Sequence, residues 1–183
     1  MRKGLPITLA ITLASILLLL AACSGSTTSG AGSSSSGLHY TSALKSLNDS
    51  GASGTADLTL DGNRLLIHIK VSGLVPGQSH PQHIHGDPAK TASCPPATAI
   101  DKNGLITLAS GTPFYGPLAL GLEAPVANGT GAVDYTHSFT LSADDKDKLA
   151  HLTSHVIVVH GVMVNGEYDG TVPAACGTIV EGR

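Results

Sequence analysis

The chain has 183 residues, a formal charge of −3, 13% charged residues and an aromatic set of two Phe and four Tyr without Trp. No basic stripe follows Lys3, so charge excludes a nucleic-acid partner. Residues 38–183 are enough for a single compact domain.

The first element is an export signal. Arg2 and Lys3 precede an apolar run from Leu5 to Leu20, and small residues lead to Cys23. The run contains Pro6, Thr8, Thr12 and Ser15 and is shorter than a spanning helix needs, so residues 1–22 are expected to be removed. Leu20-Ala21-Ala22-Cys23 resembles the bacterial lipobox, which implies acylation of Cys23, as by palmitate, and anchoring in the bilayer on the extracytoplasmic face. From Ser24 to Gly37 every residue is Ser, Gly, Thr or Ala, so residues 23–37 read as a lipidated cysteine and a flexible tether. With Cys23 assigned, Cys94 and Cys176 remain as an even pair in an oxidising compartment and read as a disulfide. In the chain-entropy model, closing so long a loop stabilises by about 4 to 5 kcal/mol.

The domain then reads as strands. Leu58 and Leu60, the turn Asp61-Gly62-Asn63, and the stripe Leu65, Ile67, Ile69, Val71 predict a β-hairpin. Further strands are expected at Gln82–His85, Leu105–Leu108, Leu118–Leu122, Ala132–Leu141 and His155–Val164, separated by Gly, Pro and Asn. Their spacing predicts an all-β sandwich or barrel. One short helix is expected over Asp144–Leu149, capped by Ser142. Asn48-Asp49-Ser50 and Asn128-Gly129-Thr130 read as turns rather than glycan acceptors.

Nine histidines stand out in so short a chain, and four lie in two motifs. In His80-Pro81-Gln82-His83-Ile84-His85 an extended backbone puts His83 and His85 on one face. Val156-Ile157-Val158-Val159-His160 is an apolar strand ending in a histidine, expected where the strand reaches the surface. Three neutral imidazoles suit copper or zinc, and copper binds a common site more tightly. His68, His137, His151 and His155 read as structural or solvated, with His155 on the face opposite His160, and His39 lies at the tether.

These residues resemble a Cu/Zn superoxide dismutase domain over roughly Gly54 to Val180. The resemblance is carried by Gly73-Leu74-Val75-Pro76-Gly77, by His80 to His85, by Val158-Val159-His160 and by Ala175-Cys176-Gly177-Thr178-Ile179, in the family's order. Cys94 falls nine residues after His85, the offset the family has. The resemblance implies a Greek-key β-sandwich or barrel with one short helix. It implies copper ligands at His83, His85 and His160, a structural role for His80, and a Cys94–Cys176 disulfide. Superoxide or a copper ion would then be the small-molecule partner.

The chain also departs from that family. Where a histidine bridging copper and zinc would stand, six residues past Cys94, the chain has Ile100. No histidine occurs between Cys94 and Thr136, so a zinc site of that kind is not expected. Pro173 stands where an arginine would guide superoxide, and the segment between His160 and Cys176 is short.

His85-Gly86 is similar to the HxHG motif of CHRD-domain proteins and related lipoproteins. That resemblance implies a binding module, copper-sequestering or without a redox role, as the alternative to a copper-dependent dismutase. A three-His zinc hydrolase is a third reading, with Asp87 as the nearest acid. Asp101-Lys102-Asn103-Gly104 lacks the spacing and the closing Glu of a calcium loop and reads as a turn.

Overall fold

Period-two patterning governs the chain from Leu38 onwards. A computed structural model describes residues 37–182. The expected signal peptide, Cys23 and all but the last residue of the tether lie outside the described residues. The strands are β1 (Leu38–Ser46), β2 (Ser53–Asp61), β3 (Arg64–Ser72), β4 (Gln82–His85), β5 (Leu118–Gly121), β6 (Val133–Thr140), β7 (Val156–Val164) and β8 (Glu167–Glu181). They form one antiparallel sheet in the order β5-β4-β7-β8-β1-β2-β3-β6. The domain is all-β, as the patterning implies.

The β2–β3 hairpin turns on Gly62 and Asn63, with Asp61 paired to Arg64. Gly62 has φ +60°, which favours glycine at the first central position of a two-residue hairpin loop. Beyond it Leu65, Ile67, Ile69 and Val71 all point inward. Every strand contributes to one core, including Leu44, Leu58, Ile84, Ala119, Tyr135 and Ile179. A sheet that buries a single face against itself must curl. Edge strand β6 is tied to the segment that follows edge strand β5, where Tyr135 Oη accepts from the Glu123 backbone N–H and His137 approaches the Glu123 carboxylate at 3.4 Å.

A second, smaller cluster holds Ala92, Tyr115, Val156, Val158 and Cys176, with Leu47 and Cys94 packed against it. Val156 and Val158 alternate along β7 with Ile157 and Val159, which belong to the main core. β7 is therefore covered on both faces from Val156 to Val162, which explains its unbroken apolar run. The second face is covered by the segment from Ala92 to Tyr115, together with Leu47. Cys94 is bonded to Cys176, with Cα atoms 5.7 Å apart, and the segment is tied down by Ala92 N–H to Ser154 O and Ser93 N–H to Phe114 O.

Three features differ from expectation. Leu105–Leu108 is not a strand, and Leu108 instead opens a helix, α1 (Leu108–Tyr115). Thr107 and Ser110 form a reciprocal capping box there, which offsets the poor helix formers Gly111 and Pro113. The domain thus has two α-helices instead of one. The second, α2 (Ala143–Lys148), is the expected one and carries its own capping box between Ser142 and Asp145. β1 had no sequence signal, because only Ser42 and Leu44 along it are buried. β8 spans 15 residues, through Pro173 and two glycines that interrupt the pattern of a strand.

Both Asn triplets are structural. Asn48, at φ +54°, donates to the carbonyls of Ile106 and Pro173 and accepts from Ile106 N–H. It pins the β1–β2 turn to α1's approach and to β8. Replacing Asn48 by Gly keeps the left-handed backbone accessible but removes all three bonds, and is expected to cost about 1 to 3 kcal/mol in urea unfolding. An unchanged midpoint would show that the clamp contributes nothing. Asn128 Oδ1 accepts from Thr130 N–H and Ala132 N–H within its own turn.

Candidate metal centre

Strand alternation places His83 and His85 on the outer face of β4, away from the main core that takes Ile84. β7 is the neighbouring strand, with His83 opposite Val158 and His85 opposite Val156. His160 lies two residues beyond Val158 and therefore shares that outer face, diagonal to His83. The three imidazole centres are 5.4, 5.1 and 6.1 Å apart for the pairs His83–His85, His83–His160 and His85–His160. One nitrogen from each ring lies within 4.8 Å of the others, so the three form a group that could hold a metal ion.

Hydrogen bonds select the tautomers. His85 Nδ1 donates to Gly116 O at 3.2 Å, and His160 Nδ1 donates to Thr171 O at 2.9 Å. Each bond leaves the Nε2 lone pair facing the site. Among the described residues five buried side-chain N or O atoms have no hydrogen-bond partner, and three of them are His83 Nδ1, His85 Nε2 and His160 Nε2. Buried polar atoms are ordinarily paired, so three orphaned nitrogens converging on one point mark a site built for a ligand.

Burial keeps these rings neutral. It pushes His85 and His160 down to about 4 and lowers His83, which is only half-buried, in the same direction. The Gly116 and Thr171 carbonyls oppose the shift but do not overcome it. Between pH 6.5 and about 4 the unfolded chain binds protons on His85 and His160 that the folded metal-free chain excludes. Stability therefore falls as pH drops through that window. Chemical unfolding of the chelator-treated chain should show a lower midpoint at pH 5 than at pH 7, and an equal or higher midpoint at pH 5 contradicts this assignment. The interval lies above the range in which Asp134, Asp145 and Asp169, all held low by hydrogen bonds, take up protons.

His160 does not reach the surface as the sequence suggests, because it is 2% exposed. The β7–β8 register shifts on both sides of it, and Gly161 at φ +110° carries the bulge. A Cβ on Gly161 would strike Tyr168 Oη and His80 Nδ1, so glycine is required by both conformation and space. His80 is fully buried and joins His160 O at 2.8 Å to Val75 O at 3.0 Å through its two ring nitrogens. It holds the backbone of the site, in keeping with the structural role expected for it. His155 is likewise buried, with its ring nitrogens against the carbonyls of His151 and Lys148. His68 and His137 lie on β3 and β6, where they face Asp134 and Glu123.

Sequence reasoning missed Tyr115. Its ring is fully buried 4.7 Å from that of His85, and its hydroxyl donates to Leu108 O. No spacing pointed to it, because α1 was not expected. The carbonyls of Gly116 and Thr171 had no signal at all, since a backbone acceptor is common to every residue. Asp87 does not join the histidines, and its Oδ1 instead accepts from Ala89 N–H. Pro173 is buried opposite His160 in the β7–β8 ladder, so no cation stands at that position.

Neither the protein-family models nor the curated proteins compared with the chain give a match.

Proposed function

We propose that this chain is a membrane-tethered, extracytoplasmic copper-binding protein whose ligands are His83, His85 and His160. The observation that carries the reading is the convergence of three neutral imidazoles, each with an unpaired nitrogen, within 4.8 Å. Copper(II) leads the divalent first-row series at nitrogen sites, and the ligand set contains no hard oxygen donor that would favour magnesium, calcium or manganese. The resemblance to the Cu/Zn superoxide dismutase domain supports the same three ligands. Bound copper would supply one-electron redox chemistry. The chain's own residues orient the ligands through Gly116 and Thr171 and keep water from His85 and His160. The full chain, purified in detergent, stripped by chelator and dialysed against copper, should retain one copper per chain. Retention no greater than that of a triple His→Ala chain rejects the reading.

The tether rests on Cys23 and the Ser/Gly tract. Labelled palmitate should enter the chain in bacterial cells and fail to enter Cys23→Ser. Equal labelling of both would reject the anchor.

Superoxide dismutation at this copper is a second reading. The half-buried ring of His83 favours it, because a small anion can reach the site there. Pro173 opposite His160 supplies no steering charge, so the expected rate is below that of a site focused by cations. Copper-loaded chain that removes superoxide no faster than the triple His→Ala chain at equal total copper would leave binding as the function.

A further inference from the structure

The sheet register fixes what surrounds the three histidines. On the β5 side Leu118 is opposite His85 and Gly121 is opposite His83, while on the β7 side Val156 and Val158 take the same positions. Across β8, Pro173 is opposite His160. In a regular ladder, directly opposed residues share a face and stand roughly 5 Å apart at Cβ; the β4–β5 register shifts between Ile84 and His85 and the β7–β8 register shifts on both sides of His160, so Leu118 and Pro173 are the nearest ladder neighbours there. None of these five residues has a side chain with a charge or an oxygen, nitrogen or sulfur donor. Tyr115, packed on His85, commits its hydroxyl to Leu108 O. Asp87, the acid next in sequence, caps its own turn.

A metal held here would keep its full positive charge, because three neutral imidazoles neutralise none of it. Transfer of an ion from water to a poorly polarisable site costs free energy that grows with the square of the charge. The penalty for a divalent ion is about four times that for a monovalent one of equal size, on that scaling. Coordination number points the same way, since copper(II) prefers tetragonal sets of nitrogen and oxygen donors and the ring offers three nitrogens. No side chain in the ladder beside them adds a fourth, which leaves only solvent on the half-buried His83 side.

We infer that the site selects copper(I) over copper(II), because its ladder neighbours bring no anionic or fourth donor to the three imidazoles. This rests on the copper reading above. It makes the site an acceptor for reduced copper, and it raises the potential of any bound copper couple.

The test is chelator competition with the full chain in detergent, using bicinchoninate with ascorbate under anaerobic conditions for copper(I) and nitrilotriacetate in air for copper(II). Copper(I) is expected to bind at least about 100-fold more tightly, which raises the couple by about 120 mV over the aqueous one at 59 mV per tenfold. Leu118 is 54% exposed on an edge strand, so it can be changed without disturbing a core. Leu118→Asp places a carboxylate across from His85 and should narrow the ratio at least tenfold, whereas Leu118→Ala should leave it unchanged. Equal affinities, or tighter copper(II), in the unaltered chain overturn the inference and leave the copper reading standing. Binding of neither ion overturns both. Identical ratios in Leu118→Asp and Leu118→Ala overturn the assignment of selectivity to the missing donor.

Discussion

A His160→Ala chain is expected to lose copper affinity by at least about 100-fold while unfolding within about 1 to 2 kcal/mol of the unaltered protein. Changes confined to the partners of metal ligands already cost 10- to 100-fold in metal affinity, and deletion of a ligand removes more. Of the three proposed ligands, His160 is best suited to the experiment. It is 2% exposed, its Nδ1 is committed to Thr171 O, and its Nε2 has no partner other than a ligand. The substitution opens a small space between β7 and β8 and leaves one carbonyl unpaired, which bounds the stability cost. The backbone contact from His80 to residue 160 survives, because it uses the main-chain carbonyl. Equilibrium dialysis against copper measures the first quantity and urea unfolding the second. Undiminished copper binding would remove His160 from the site.

Replacing Cys94 and Cys176 together by Ala is expected to lower stability by about 2 to 5 kcal/mol, read from urea unfolding. The bond closes a loop of 82 residues in sequence separation, so the unfolded chain gains much freedom when it is cut. The consequence extends to the site. Cys176 sits opposite Val158 in the ladder, and Cys94 lies near the start of the segment that covers the outer face of β7 and leads through α1 to Gly116. Gly116 O is the acceptor that fixes His85. Copper affinity should therefore fall about 10- to 100-fold in the same variant, as for other changes to the partners of metal ligands. A full loss of stability with no change in affinity would show that the covering segment holds its place without the bond.

The part of the fold legible in the sequence is the part where one physical rule acts alone. Ile67, Ile69 and their neighbours alternate because only one face of β3 is buried, and β4 was found to the residue because His-x-His sits between turn residues. The cysteine pair could be read by counting. β1 was hidden because its polar outer face outweighs its two buried residues, and α1 because its capping box uses Ser110 in place of Glu or Gln and its interior holds Gly111 and Pro113. Most of the candidate site was legible: His83, His85 and His160 were all named from spacing and resemblance, and the structure brings all three together. The depth of His160 was not, since it depends on the bulge at Gly161 and on residues of β8 that pack over it. Tyr115 was missed for the same reason as α1. The acceptors at Gly116 and Thr171 are main-chain atoms placed by tertiary structure, which no residue identity announces.

The most direct test of the central claim is elemental analysis of the full chain, isolated in detergent from bacterial cells grown with copper and without added metal during purification. Close to one copper per chain is expected, with zinc well below stoichiometric, and that copper should be lost in His160→Ala. A chain that carries stoichiometric zinc without copper, or carries no metal at all, would contradict the claim.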